Sequence, residues 1–131
     1  MNRTGTSTPR VLVAEDEAAI ALSLEFLLGQ AGYSVSVCSN GREALETALR
    51  WQPDLLILDV MLPEMNGLEV CRRIRTAATS HPARILMLTA RARGTEFEAL
   101  RIAGADDWMT KPFATRDLLE RVAKLLRNAA A

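Results

Sequence analysis

Residues 55–67 read LLILDVMLPEMNG, and this stretch decides the fold. Leu55 to Leu58 is a continuous apolar run without alternation, the pattern of a central strand covered on both faces. It stops at Asp59, and the VMLPEMNG that follows reads as a loop punctuated by Pro63 and Gly67. A strand buried on both faces needs helices above and below it, so strands and helices should alternate on either side.

Upstream, Val11 to Ala14 is a short apolar run that stops at three acids, Glu15, Asp16 and Glu17. AAIALSLEFLLGQAG follows, with Ile20, Leu24, Leu27 and Leu28 at helical spacing and Gly32 as a stop. Tyr33 to Cys38 alternates with period two, as a strand does. Ser39-Asn40-Gly41 is a turn or cap, and Arg42 to Trp51 reads as a helix ended by Pro53. Downstream, Leu68 to Arg75 is helical, Ile85 to Leu88 a strand ending at Thr89, and Glu96 to Ile102 a helix closed by Gly104. Trp108 and Met109 mark a short strand before Lys111-Pro112. Thr115 is expected to cap a final helix with Leu118, Leu119, Val122, Leu125 and Leu126 on one face. Five strand-then-helix units predict an α/β fold: a doubly wound five-stranded parallel sheet with five helices.

Size and composition agree with a single domain. The chain has 131 residues, 49% hydrophobic and 24% charged, the profile of a soluble globular domain. We divide it into a polar N-terminal extension (1–9), the folded domain (10–128) and a C-terminal tail (129–131). Sixteen basic residues balance sixteen acidic ones. A free-standing nucleic-acid binder is usually basic, so direct DNA or RNA contact is not expected. No apolar run approaches the roughly 20 residues that span a bilayer, and MNRTGTSTP holds no signal-peptide core. Cys38 and Cys71 form no CxxC and no metal spacing, and read as core residues. These features predict a cytoplasmic protein without membrane contact. The length leaves no room for a separate effector module.

In an open parallel sheet, ligands bind outside the carboxyl ends of the strands. The strands here end on Glu15 and Asp16, on Asp59 and on Thr89, and the last is followed by Lys111. Singly, each residue has an ordinary explanation as a cap, a turn residue or a surface charge. Jointly, three clustered carboxylates repel one another and call for a counter-ion. An oxygen-rich site partly open to water favours Mg²⁺. Lys111 is one of only two lysines, with Lys124, against fourteen arginines. An ammonium is a compact point charge that fits between carboxylates, where a planar guanidinium does not. The set suggests acyl-phosphate chemistry, with one carboxylate as nucleophile and metal, Lys and Thr stabilising the transferring group.

From about Arg10 to Asn128 the sequence resembles the receiver domain of two-component response regulators, a flavodoxin-like fold. The motifs that carry the resemblance are VLVAEDE, LLILDVMLPEMNG, ILMLTA and GADDWMTKPF. It implies that a sensor histidine kinase, or a phosphotransfer protein, phosphorylates Asp59. It implies Mg²⁺ on Asp16, Asp59 and the Met61 backbone carbonyl. Glu15 stands where the family often has Asp, and its longer side chain is expected to reach the metal through water. Thr89 would be the switch hydroxyl, Ala90 a small residue beside the donor's entry path, and Lys111 the partner of Asp59 and then of the phosphoryl oxygens. A cis bond before Pro112 is also implied. Met61 and Arg91 would flank and tune the site. The domain would not turn over a substrate, but would catalyse its own phosphorylation and dephosphorylation.

The family couples Thr89 to an aromatic residue on the fifth strand. Here that residue is Trp108, where Tyr or Phe is more usual; it is either a moving rotamer or a packing residue. The tail TKPFATRDLLERVAKLLR resembles the subclass whose effector is a winged-helix DNA-binding domain. There, a phosphorylation-dependent homodimer forms through charge pairs, and Asp106, Asp107, Asp117 and Arg121 match the pattern. A basic residue expected near Phe97 is missing, so Phe97 is either an apolar partner contact or is packed on its own helix. His81, the only histidine, lies in the loop TSHPA without a kinase-like context. Two other functions compete with the switch. A degenerate receiver would act only as a protein-binding module, which the complete set Glu15, Asp16, Asp59, Thr89 and Lys111 argues against. Haloacid-dehalogenase-like phosphatases carry a second Asp two residues after the nucleophile, where this chain has Met61. The output would then lie in an effector domain or partner protein downstream.

Overall fold

The computed structural model describes residues 8–77, 82–90 and 94–130; His81, Arg91 and most of the N-terminal extension lie outside the described residues. Strands β1 (Arg10–Ala14), β2 (Ser34–Cys38), β3 (Leu55–Asp59), β4 (Arg84–Thr89) and β5 (Asp107–Thr110) alternate with helices α1 (Ala18–Gln30), α2 (Gly41–Trp51), α3 (Gly67–Thr76), α4 (Gly94–Ala103) and α5 (Thr115–Ala130). The strands form one parallel sheet in the order β2-β1-β3-β4-β5. All five residues of β3 are buried, as its unbroken apolar run requires.

Side chains alternate across each strand, so the sheet feeds two cores. Val11, Val13, Leu55, Ile57, Leu86 and Leu88 pack with Leu24 and Leu28 of α1 and Leu118 and Val122 of α5. Leu12, Leu56, Leu58, Ile85 and Met87 pack on the other face with Ala44 and Ala48 of α2, Val70 and Ile74 of α3 and Leu100 of α4. Cys38 and Cys71 are free thiols buried in that second core. Burial pushes them up to about 12 and about 11 respectively. The outer face of α1 is less polar than a surface helix usually is, since Leu22 and Phe26 are exposed one turn apart.

Polar side chains cap the starts of α2 and α3. The Asn40 side chain accepts the Glu43 N–H (2.8 Å), and the Asn66 side chain accepts the Glu69 N–H (3.0 Å). Two expectations need correction. Thr115 does not cap α5: it is the first helical residue, and the carbonyl of Ala114 accepts the Leu118 N–H at 3.1 Å. Gly67 does not lie in the loop after β3 but opens α3, where its N–H donates to the Val60 carbonyl at 2.8 Å. A Cβ there would stand 2.3 Å from the Asp59 carbonyl oxygen, so only glycine lets the helix begin so close to the strand end.

From β1 the chain moves outward to β2 and then returns across β1 to β3. The carboxyl ends of β1 and β3 therefore flank the point where the winding reverses, and a crevice opens there.

Candidate functional site

That crevice holds the residues the strand ends deliver. Glu15 and Asp16 follow β1, Asp59 ends β3, Thr89 ends β4, and Lys111 follows β5. One carboxylate oxygen each from Glu15, Asp16 and Asp59 lies within 4.8 Å of the others. Glu15 and Asp59 are buried, whereas Asp16 is exposed. The buried pair meets Lys111, whose Nζ lies 2.8 Å from Glu15 Oε1 and 3.1 Å from Asp59 Oδ2. The Lys111 backbone N–H donates to the Thr89 carbonyl at 2.7 Å, fixing where the side chain starts. The Lys111–Pro112 bond is cis.

Burial raises the Glu15 carboxyl above its ordinary range, and the nearby Asp59 charge adds to this; the Lys111 contact and the Glu17 N–H (3.0 Å) pull the other way. Burial works against the charged form of Lys111, but its bonds to Glu15 and Asp59 outweigh that and hold its pKa above the usual value. The ammonium therefore stays charged between the carboxylates across the physiological range. Both Asp59 oxygens are engaged, because Oδ1 also accepts the Met61 N–H at 3.1 Å.

The donor set suits a hard divalent cation. It offers carboxylate oxygens, with one member, Asp16, open to water, and no soft ligand takes part. Both oxygens of Glu15 already face Lys111 or the Glu17 backbone, which fits contact with such an ion through water better than direct ligation. Thr89 is buried beside this group, on the strand neighbouring Asp59. Ala90 is exposed and lines a cavity of about 440 Å³ with Ile20, Leu27, Pro112 and Phe113, next to Lys111.

The other residues singled out from the sequence do not join this group. Trp108 is half-buried on β5, with its ring 5.3 Å from that of Phe97, so both belong to one aromatic contact. Asp107 pairs with Arg121 at 3.0 Å, and Arg121 also donates to the Trp108 carbonyl. Asp106 lies at the opposite edge of the sheet, bound to Arg75 at 2.7 Å, to Arg84 at 3.4 Å and to the Ile85 N–H. Asp117 is exposed on α5.

Two further residues border this group. Glu17 lies 3.7 Å from Lys111 Nζ, a fourth carboxylate at the crevice. The unbroken run Glu15-Asp16-Glu17 was its available signal. Gly41 touches the loop after β3, and nothing in the sequence links positions so far apart.

Known proteins resemble most of the chain. The model of the "Response regulator receiver domain" family matches residues 11–123. The response regulator MprA of Mycobacterium leprae is 48% identical over 119 residues, covering 91% of this chain and 51% of that protein. MprA of Mycolicibacterium vanbaalenii is 47% identical with the same coverage. The chain thus spans about half the length of the curated relatives it matches. Among solved structures, a CheY-like receiver domain protein from Methanospirillum hungatei superposes with a TM-score of 0.88 at 28% identity, covering 95% of this chain and 98% of that one. The beryllofluoride-activated receiver domain of Klebsiella pneumoniae RstA gives 0.80 at 29% identity, with coverages of 90% and 98%.

Proposed function

The chain belongs to the response regulator receiver family, a family of phosphorylation-dependent signalling switches, and from that premise we propose that Asp59 is its phosphoacceptor. The observation that carries the assignment is the Lys111 ammonium held within 3.1 Å of Asp59 Oδ2, at an acidic crevice at the carboxyl edge of the sheet. The donor is a sensor histidine kinase or phosphotransfer protein, carrying the phosphoryl group on a histidine nitrogen. An Asp59 oxygen attacks phosphorus, the P–N bond breaks, and the imidazole leaves with a proton from solvent. Lys111 follows the charge onto the phosphoryl oxygens, and the Thr89 hydroxyl turns toward them. Asp16, Asp59 and the Met61 carbonyl would hold Mg²⁺, and Glu15 would contact it through water. When bound, the ion neutralises charge that builds on the phosphoryl oxygens. Little else is needed from the protein, since positioning and charge neutralisation supply most of the acceleration.

The cytoplasm, where such donors present their phosphohistidine, is the proposed location. The downstream partner is an effector domain or separate protein, of the winged-helix DNA-binding class by the tail's resemblance. Phosphorylation would strengthen a weak homodimer through Phe97, Asp117, Arg121 and their neighbours on α4, β5 and α5. Light scattering after size exclusion should register this as a mass increase on adding beryllofluoride; an unchanged monomer removes the dimer.

Acetyl phosphate with Mg²⁺, read by intact-protein mass spectrometry, tests the acceptor. Wild type should gain one phosphoryl group and Asp59→Asn none. Equal labelling of the variant moves the acceptor elsewhere. An unlabelled wild type leaves the protein-binding module as the reading.

A further inference from the structure

We infer that Gly41, the first residue of α2, is a positioning residue for the Mg²⁺ side of the crevice, acting through the loop between β3 and α3. This rests on the proposed function, in which Met61 of that loop gives its carbonyl to the ion. Gly41 is buried, and its N–H donates to the Pro63 carbonyl at 3.0 Å. A Cβ built on it would lie 1.7 Å from the Met65 carbonyl oxygen and 2.6 Å from the Met65 carbonyl carbon. Both are backbone atoms, so no rotamer change relieves the clash, and the loop itself must move. The reason for glycine here is space and not left-handed backbone, because Gly41 is helical.

The loop has a second anchor at Gly67, whose N–H holds the Val60 carbonyl. Between the anchors, Glu64 takes a left-handed φ of 70°, and the Met65 N–H turns back to the Pro63 carbonyl at 2.8 Å. Met61 sits between the two held carbonyls, and its N–H reaches Asp59 Oδ1. Its main chain is thus set from both ends, once by α3 and once by α2. The α2 start is itself fixed by the Asn40 cap and by Ala44 in the core. Side-chain contacts add little at that end. Arg42 and Glu64 pair at 3.1 Å, but both are about half exposed, and such pairs are weak.

The test is Mg²⁺ affinity measured by calorimetry without any phosphodonor, beside thermal stability. Gly41→Ala should raise the Mg²⁺ Kd about tenfold, as loss of a supporting contact around a metal site does. Ala48→Gly, on the same helix but away from the loop, should lower the melting temperature and leave the Kd unchanged. If Gly41→Ala folds and binds Mg²⁺ as tightly as wild type, the inference is overturned. So it is if Ala48→Gly weakens Mg²⁺ equally, since the effect would then be general softening. If Gly41→Ala fails to fold, Asn40→Ala decides. Loosening the α2 start should give a smaller rise in Kd, and no rise overturns the inference. A wild type that binds no Mg²⁺ at all would instead sink the proposed function beneath it.

Discussion

The two edges of the sheet both gather charge, but they balance it differently. At the amino edge, Asp54 accepts the Arg10 N–H at 2.7 Å, and Asp106 accepts from Arg75, Arg84 and the Ile85 N–H. A backbone N–H reaches each of these carboxylates, and two guanidinium groups also hold Asp106. At the carboxyl edge, Glu15, Asp16, Glu17 and Asp59 gather near a single ammonium, that of Lys111. The first arrangement is complete within the chain and holds strands and turns together. The second carries more negative charge than the described residues answer, which is unfavourable unless a cation or an electrophile joins it. A protein keeps such a deficit where it works, and stability is what it forgoes there.

Opposite mutational signs at the two edges would sharpen this contrast. The largest effect belongs to the amino edge. Asp106→Ala leaves the Ile85 N–H without its acceptor and two guanidinium groups without their carboxylate, and should cost about 2 to 3 kcal/mol in urea unfolding. A loss below about 0.5 kcal/mol, the range of an ordinary surface change, would break the comparison.

The smaller effect belongs to the carboxyl edge and has the reverse sign. Without Mg²⁺, Asp59→Asn should stabilise the fold by about 1 kcal/mol, the relief of like-charge repulsion less the lost attraction to Lys111. A destabilised Asp59→Asn would show that this edge is as complete as the other. Its pH dependence adds a check. Glu15 has a raised pKa in the fold, so its contribution is present below its ordinary value of 4.5 and is lost as pH rises through the raised value. Asp59 is one cause of that rise. Removing the Asp59 charge should therefore make the stabilisation larger above the Glu15 titration than below it.

How far the sequence carries the reading differs between these edges. At the carboxyl edge it suffices to know where each strand stops. Asp59, Thr89 and Lys111 each end or follow an apolar run, and parallel strands bring all such ends to one side. At the amino edge no comparable rule exists. The motif of Asp106 points to a partner surface; the fold adds that its carboxylate is engaged by Arg75 and Arg84, 31 and 22 residues away. Phe97 and Trp108, which the sequence does not assign to either a functional or a packing role, meet as one aromatic pair. For α1, nearly apolar all round, periodicity named the buried Leu24 and Leu28 but could not say that Leu22 and Phe26 face solvent.

By itself, the order of apolar runs and the residues that close them determined the doubly wound sheet and the carboxylates, hydroxyl and ammonium at its edge. That information is local, since burial period and chain breaks are written in consecutive residues. The tertiary structure decided which charges touch. Lys111 reaches Asp59 across 52 positions, Glu15 is drawn into the same pair, and Glu17 joins them. It also decided that Gly41 must be glycine, because a backbone carbonyl from another loop occupies the space of its side chain. Coulomb and steric contacts act through space, and only the folded chain fixes those distances.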